Sequence, residues 1–449
     1  MATPERLSGN HDHPHRRRFL GLLCSAGVTG TLASLARAES PRETHPWRVG
    51  AAVAEIPTPL DVGLLMSSGR QLWEPFEGTR LPICARTVIV ERGDERIALV
   101  ALDLLGLAGE AVGGMDRFKQ QVATAAGSIV RSDALILSST HTHTSPESAA
   151  LTDLYQTPAF KKWYEGLAAS IGRSLHTAAD ALRPCRLATG SHLTSGLALN
   201  RRIRTTKGIR SVRQPIPPEE LIGPEGPTDD LVRVAAFLDS ENKPVAILVN
   251  FTAHPVLEMC IKQVSPDYPG ELCLELERRH PGAVPLFFQG ATGNINPPNV
   301  GRGAEDSRQF GRQLADAVDA ALNNLTPAEG NRLEIGWRSI DLPRRDEPDQ
   351  QEKKLLTTRI AAVNTGGAAM VFLPGEPFVE IALAIREASP FPFTAVVGYS
   401  EDYIGYIPTD RAFENGGYET NPGRWSRLGP GSEAIMRDEA IRLLGRFCQ

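Results

Sequence analysis

Cysteine is scarce in this 449-residue chain: the six residues Cys24, Cys84, Cys185, Cys260, Cys273 and Cys448 include no CxxC pair. That excludes a disulfide framework and a thiolate zinc site as the organising principle, and makes free thiols the default. A basic surplus is also missing, with 48 Lys and Arg against 53 Asp and Glu and a formal charge of −5. Nucleic acid is therefore not an expected partner. Beyond the first 38 residues no apolar run is long enough to span a bilayer, so no stable membrane anchor is expected.

What is present begins with an address. The segment "HRRRFLGLLCSAGVTGTLASLARA" places Arg16 and Arg17 before Phe19 and Leu20 and ends in Ala36-Arg37-Ala38. It reads as a twin-arginine-type export signal over residues 1–38, with a periplasmic or secreted destination. Leu23 before Cys24 argues against lipidation, and the Gly, Ser and Thr in the run argue against a retained anchor. Removing five arginines and two acids takes the charge of the remaining chain, 39–449, from −5 to −8.

Through residues 39–449, β-branched apolar runs alternate with helical patterns, which predicts an α/β fold with a mixed sheet flanked by helices. Expected strands are "TVIVER", "RIALVALD", "ALILSST", "VAILVNFTAH", "VPLFFQG", "AAMVFLPG" and "TAVVGYS". A helix is predicted where Phe310, Leu314, Val318 and Leu322 recur at spacing four, and another opening on Pro377. Residues 201–230, rich in Pro and Gly with a basic first half, read as an excursion, either a lid or a solvated insertion. Residues 343–355 read as a charged surface connection. No sharp boundary divides the chain, so one domain is expected.

Strand ends keep coinciding with polar residues, and ligands in open α/β sheets bind beyond the carboxyl ends of strands. In an extended segment, His141 and His143 of "THTH" would face the same side, where they could be paired metal ligands or hydrogen-bonded histidines. His254 and Glu376 end two further strands. Asp267 could be a partner to a metal-bound histidine or a turn residue. His45, His176, His192 and His280 have no partnered spacing and read as structural or solvated. "QGATGN" (289–294) has the glycines of a phosphate loop without its Lys-Ser/Thr end, which argues against nucleotide binding.

These pieces, in this order, resemble the neutral ceramidase family, from "VGAAVAEIPTP" to the tyrosine loop "GYIPTDRAFENGGYE". The resemblance implies Zn2+ as cofactor, held by His141 of "THTHTSP", His254 of "NFTAH", Glu376 of "PGE" and Tyr406. It implies proton transfer by His143, with Tyr418 and Arg201 (of "LNRR") donating to a developing oxyanion. The implied reaction is hydrolysis of a carboxamide (N-acyl) bond in a small-molecule or lipid-like substrate.

Two departures qualify that implication. The family's "GDVSP" corresponds to "GNINP", so Asn294 replaces the aspartate and Asn296 the serine needed for ceramide. An amide cannot act as a hydroxyl does, though Asn296 can donate to an oxyanion. The family's carboxy-terminal immunoglobulin-like domain also has no counterpart expected after the tyrosine loop. An ester or carbohydrate linkage, or a non-catalytic binding role, therefore stands beside amide hydrolysis.

Overall fold

The computed structural model describes residues 47–59, 76–259, 261–345 and 355–449. The export segment 1–38, His45, Cys24, Cys260 and residues 346–354 lie outside the described residues.

Two sheets stacked face to face form the centre. The larger contains β1 (Trp47–Glu55), β2 (Cys84–Arg92), β3 (Glu95–Leu102), β4 (Leu135–Ser139), β5 (Arg183–Leu193), β6 (Leu231–Leu238), β7 (Pro244–Phe251) and β8 (Val284–Gln289). Its order is β8-β7-β6-β5-β1-β2-β3-β4, with Thr326–Pro327 added beside β5. The smaller sheet is β9 (Leu333–Pro343), β10 (Leu355–Thr365), β11 (Ala368–Phe372) and β12 (Phe393–Val397), in chain order. The larger sheet curls, so that β8 at one end comes against β2, β3 and β4 at the other.

Side chains alternate across a strand, so a strand apolar at every position must lie between two covered faces. β4 shows this: Ile136 joins the core between the sheets, while Leu135 and Leu137 face the helices outside. Those helices are α1 (Met115–Ala125) and α2 (Pro158–Asp180), the latter opened by Thr157 accepting the Phe160 N–H, with Pro158 at its start. α3 (Asp267–Arg279) and α4 (Ala304–Leu322) cover the rest of that outer face. The smaller sheet is covered by α5 (Val379–Glu387) and α6 (Ser432–Arg446). The expected mixed-sheet core flanked by helices is present, and its core is two sheets, so the layers run helix, sheet, sheet, helix.

All seven expected strands form. Phe310, Leu314 and Val318 of the predicted α4 are buried, and Leu322 partly so. α5 begins at Val379 rather than Pro377, because Glu376 and Pro377 pair as a two-residue parallel strand with Tyr406 and Ile407. The excursion 201–230 contains a small three-stranded sheet: Arg202–Thr205 sits between Gly208–Ser211 and Leu221–Pro224. Gly208, Gly223 and Pro224 lie within those strands and the remaining Pro and Gly between or after them, a composition that hid the β-structure. Residues 343–355 join β9 to β10, which pair in register from Leu333 opposite Thr365 to Pro343 opposite Leu355. Among the described cysteines, Cys84, Cys185, Cys273 and Cys448 are free.

Candidate metal centre

The architecture contains three parallel strand pairs in its two main sheets, β3 with β4, β7 with β8, and β11 with β12. The carboxyl ends of all three converge. In each pair one strand delivers a candidate ligand and its neighbour delivers the group that orients it. β4 leads to His141, whose Nδ1 lies 2.6 Å from the Leu105 carbonyl oxygen just after β3. β7 leads to His254, whose Nδ1 lies 3.1 Å from the Thr292 carbonyl oxygen after β8. β11 leads to Glu376, and the segment after β12 supplies two phenols: Tyr403 donates to its Oε1 at 2.5 Å and Tyr399 to its Oε2 at 3.3 Å.

A carbonyl oxygen only accepts, so both Nδ1 atoms carry the proton and both Nε2 atoms present lone pairs. Those lone pairs meet: the two Nε2 atoms are 2.9 Å apart, and Glu376 Oε2 lies 3.3 Å from the first and 3.8 Å from the second. Three buried acceptors with no proton between them repel, and a cation among them removes the conflict. His143 completes the cluster, since ligand nitrogens of His141, His143 and His254 lie within 4.8 Å of one another. Its Nε2 is buried and has no hydrogen-bond partner. The residues therefore fit a metal ion.

His141 and His143 converge, but not by strand alternation. β4 ends at Ser139, and His141 has a left-handed backbone, φ 69°, a conformation that costs a histidine ~1–3 kcal/mol and marks functional sites. Its ring stacks on Tyr399, centroids 3.9 Å apart. Burial, and then the cationic neighbours Arg201 and Arg213, lower the His143 pKa well below its usual value and keep the imidazole neutral. Burial alone would raise the Glu376 pKa, but the hydrogen bond from Tyr403 and the charge of Arg201 act the other way, and the carboxyl is held below its ordinary value.

The two-residue pairing aligns Glu376 with Tyr406, whose hydroxyl accepts from Arg201 Nη2 at 3.0 Å. Burial raises the Tyr406 pKa well above 10, with Arg201 opposing only in part. A second short pairing, Ile295 with Asn200 and Asn296 with Leu199, brings Asn296 beside Arg201, whose Nη1 donates to Asn296 Oδ1 at 3.4 Å. Tyr418 is 51% exposed and stacks on Trp425, with ring planes 9° apart. His143, Arg201, His254, Asn296, Tyr406 and Tyr418 all line one cavity of about 750 Å3. The sheet of the 201–230 excursion forms part of its wall through Ile209, Arg210 and Ser211.

Some expectations fall elsewhere. Asp267 is no partner to a histidine: its carboxylate accepts the backbone N–H groups of Glu258 and Tyr268 at 2.7 and 2.6 Å, and carbonyls orient both imidazoles instead. Asn294 accepts the Val379 N–H and donates to Glu380, which pins the start of α5. His176 and His280 pair with Asp180 and Asp319, and His192 is exposed. The glycines of "QGATGN" serve close backbone approach: a Cβ on Gly293 would lie 2.6 Å from the Glu376 carbonyl oxygen. Sequence reasoning missed Tyr399, Tyr403 and Glu419, the last accepting from Arg201 Nε at 2.8 Å and Arg202 Nη1 at 2.6 Å. A signal was available, since four of the seven tyrosines fall within residues 399–418.

No family model matches the chain, and no curated protein does. Solved structures do. The neutral ceramidase from Pseudomonas aeruginosa superposes with a TM-score of 0.71 at 18% identity, over 90% of this chain and 74% of that one. A ceramidase complexed with C2 gives a TM-score of 0.72 at 17% identity, over 90% and 75%. The chain has a neutral ceramidase-like fold.

Proposed function

We propose that this chain is an exported zinc-dependent hydrolase that cleaves a carboxamide (N-acyl) bond with water. The observation that carries the reading is the meeting of three buried acceptors, His141 Nε2, His254 Nε2 and Glu376 Oε2, next to a substrate-sized cavity that His254 and His143 line. These three and the Tyr406 oxygen would hold the ion. Zinc bound there supplies the Lewis acidity that makes water a nucleophile near neutral pH.

The remaining work belongs to the chain's own groups. His143, neutral and with an unpartnered Nε2, takes a proton from the attacking water and delivers it to the departing amine nitrogen as the C–N bond breaks. Arg201 and the half-exposed Tyr418 donate to the oxygen that gains negative charge when water adds to the carbonyl carbon. Asn296, whose Oδ1 accepts from Arg201, orients that guanidinium and leaves its amide N–H groups for substrate. The neutral ceramidase-like fold and the order of the motifs support this assignment of roles.

Elemental analysis of the purified protein is expected to find one zinc per chain, and His254→Ala is expected to lose both the zinc and amide turnover. A zinc-free His254→Ala protein with full activity would overturn the reading; hydrolysis of esters alone would move the bond. Export is tested separately: replacing Arg16 and Arg17 by lysine should retain the protein in the cytoplasm.

A further inference from the structure

The residue assigned to proton transfer is held differently from those that would hold the ion. His141 is tied twice to the segment after β3, its backbone N–H donating to the Leu104 carbonyl at 2.8 Å and its Nδ1 to that of Leu105 at 2.6 Å. His254 has the Thr292 carbonyl in the same role. His143 has an unpartnered Nε2, and the fixed points beside it are its two chain neighbours. Thr142 and Thr144, both fully buried, each donate a hydroxyl to one acceptor, the Ser265 carbonyl oxygen, at 2.8 Å. The Ser265 N–H returns a bond to the Thr144 carbonyl at 2.9 Å.

A carbonyl oxygen has two lone pairs, and the two hydroxyls take both, so residues 142 and 144 are gripped at one point with residue 143 bridging them. Ser265 is itself fixed. Its Oγ accepts from Arg80 Nη2 and from the Asp267 N–H, both at 3.0 Å, and Arg80 is anchored by ion pairs to Glu258 and Glu271. None of these bonds involves the side chains of His141, His254 or Glu376. Resting on the amide-hydrolase reading, we propose that Thr142 and Thr144, clamped on Ser265, are positioning residues that aim the His143 ring for proton transfer, separately from the residues that would hold zinc. Hydrolysis adds water across the C–N bond: the oxygen goes to the carbonyl carbon, and His143 carries a proton from the water to the nitrogen. An alkyl amine leaves only once protonated, whereas a nitrophenolate leaves as the anion. A misaimed ring therefore costs amide turnover more than turnover of an activated ester.

The test compares N-octanoylethanolamine with p-nitrophenyl octanoate on the zinc-loaded protein. The double variant Thr142→Val with Thr144→Val keeps side-chain shape and removes both donors. It is expected to lower kcat for the amide by about tenfold or more and for the ester by about threefold or less, with KM and the zinc dissociation constant unchanged. Serine at both positions restores the hydroxyls and is expected to recover amide turnover. Equal losses on the two substrates, loss of zinc, or an unchanged amide kcat would each overturn the proposal. NMR of isotope-labelled histidine gives a reading that needs no turnover: the His143 signals should shift in the valine variant while those of His141 and His254 stay in place. If the unmodified protein cleaves neither substrate, the hydrolase reading fails, and unmoved His143 signals would overturn the clamp as well. If the double variant does not fold, Thr144→Val alone carries the same comparisons.

Discussion

Tyr403 shows how much of a candidate metal site lies beyond the residues that would hold the ion. Its phenol fixes Glu376 Oε1 and leaves Oε2 aimed at the two imidazoles. Outer hydrogen bonds of this kind are worth ~10–100-fold in metal affinity. Tyr403→Phe should therefore retain the fold but give up zinc to a competing chelator at ~10–100-fold lower chelator concentration, read by a zinc-responsive dye. Glu419 is a different case, a buried carboxylate bridging two buried arginines. Its removal leaves two charges short of a partner, so Glu419→Ala should lose ~3–5 kcal/mol of stability in urea unfolding. Asp103 carries a pH signature. Burial raises its pKa to about 6, against the opposing pull of Arg86, the Cys84 N–H and Thr140. The unfolded carboxyl ionises near ~3.9, so between about pH 4 and 6 the folded state holds a proton that the unfolded state has released. Stability from this group falls as pH rises through that window, and Asp103→Asn should flatten the fall in a series of unfolding curves. Of the site, His141, His254 and Glu376 were legible because each closes an apolar run. Tyr403 and Glu419 were not, because their importance arises only through the fold, Tyr403 meeting Glu376 27 positions earlier across an intervening helix and strand, and Glu419 meeting arginines 217 and 218 positions earlier.

At the scale of elements, the parallel pairs explain why ligand and support arrive together. Adjacent parallel strands end on the same side of the sheet, so the loop after one necessarily faces the loop after the other. Antiparallel neighbours carry no such consequence, which is why β1, β2, β5 and β6 contribute framework rather than ligands. That framework relies on close approach: a Cβ on Gly50 of β1 would lie 1.9 Å from the carbonyl oxygen of Ala178 in α2. Gly50→Ala should force strand and helix apart at ~1–3 kcal/mol or more, visible as a lowered urea midpoint. Strands buried on both faces were legible as unbroken apolar runs. β6 is an exception, buried along nearly its whole length but interrupted by Arg233, and it was missed; β1, β5, β9 and β10 were missed because their exposed and buried positions interleave with small and charged residues. Nor can alternation reveal that inward faces meet a second sheet rather than a helix, since either partner buries the same side chains.

For the whole molecule, the two main sheets bring different parts of the site. His141 and His254 follow strands of the larger sheet, and Glu376 follows a strand of the smaller. Chelation should therefore lower the melting temperature, and zinc restored at ~100 times its dissociation constant should return about 2.7 kcal/mol, a shift of a few degrees by calorimetry. The same arrangement gives the scarcity of cysteine a counterpart. The described thiols are all free, so no covalent bond between them ties one sheet to the other. An ion shared by residues 141, 254 and 376 would act as a removable cross-link, closing loops of more than a hundred residues in the chain, the span over which a tether most restricts the unfolded ensemble.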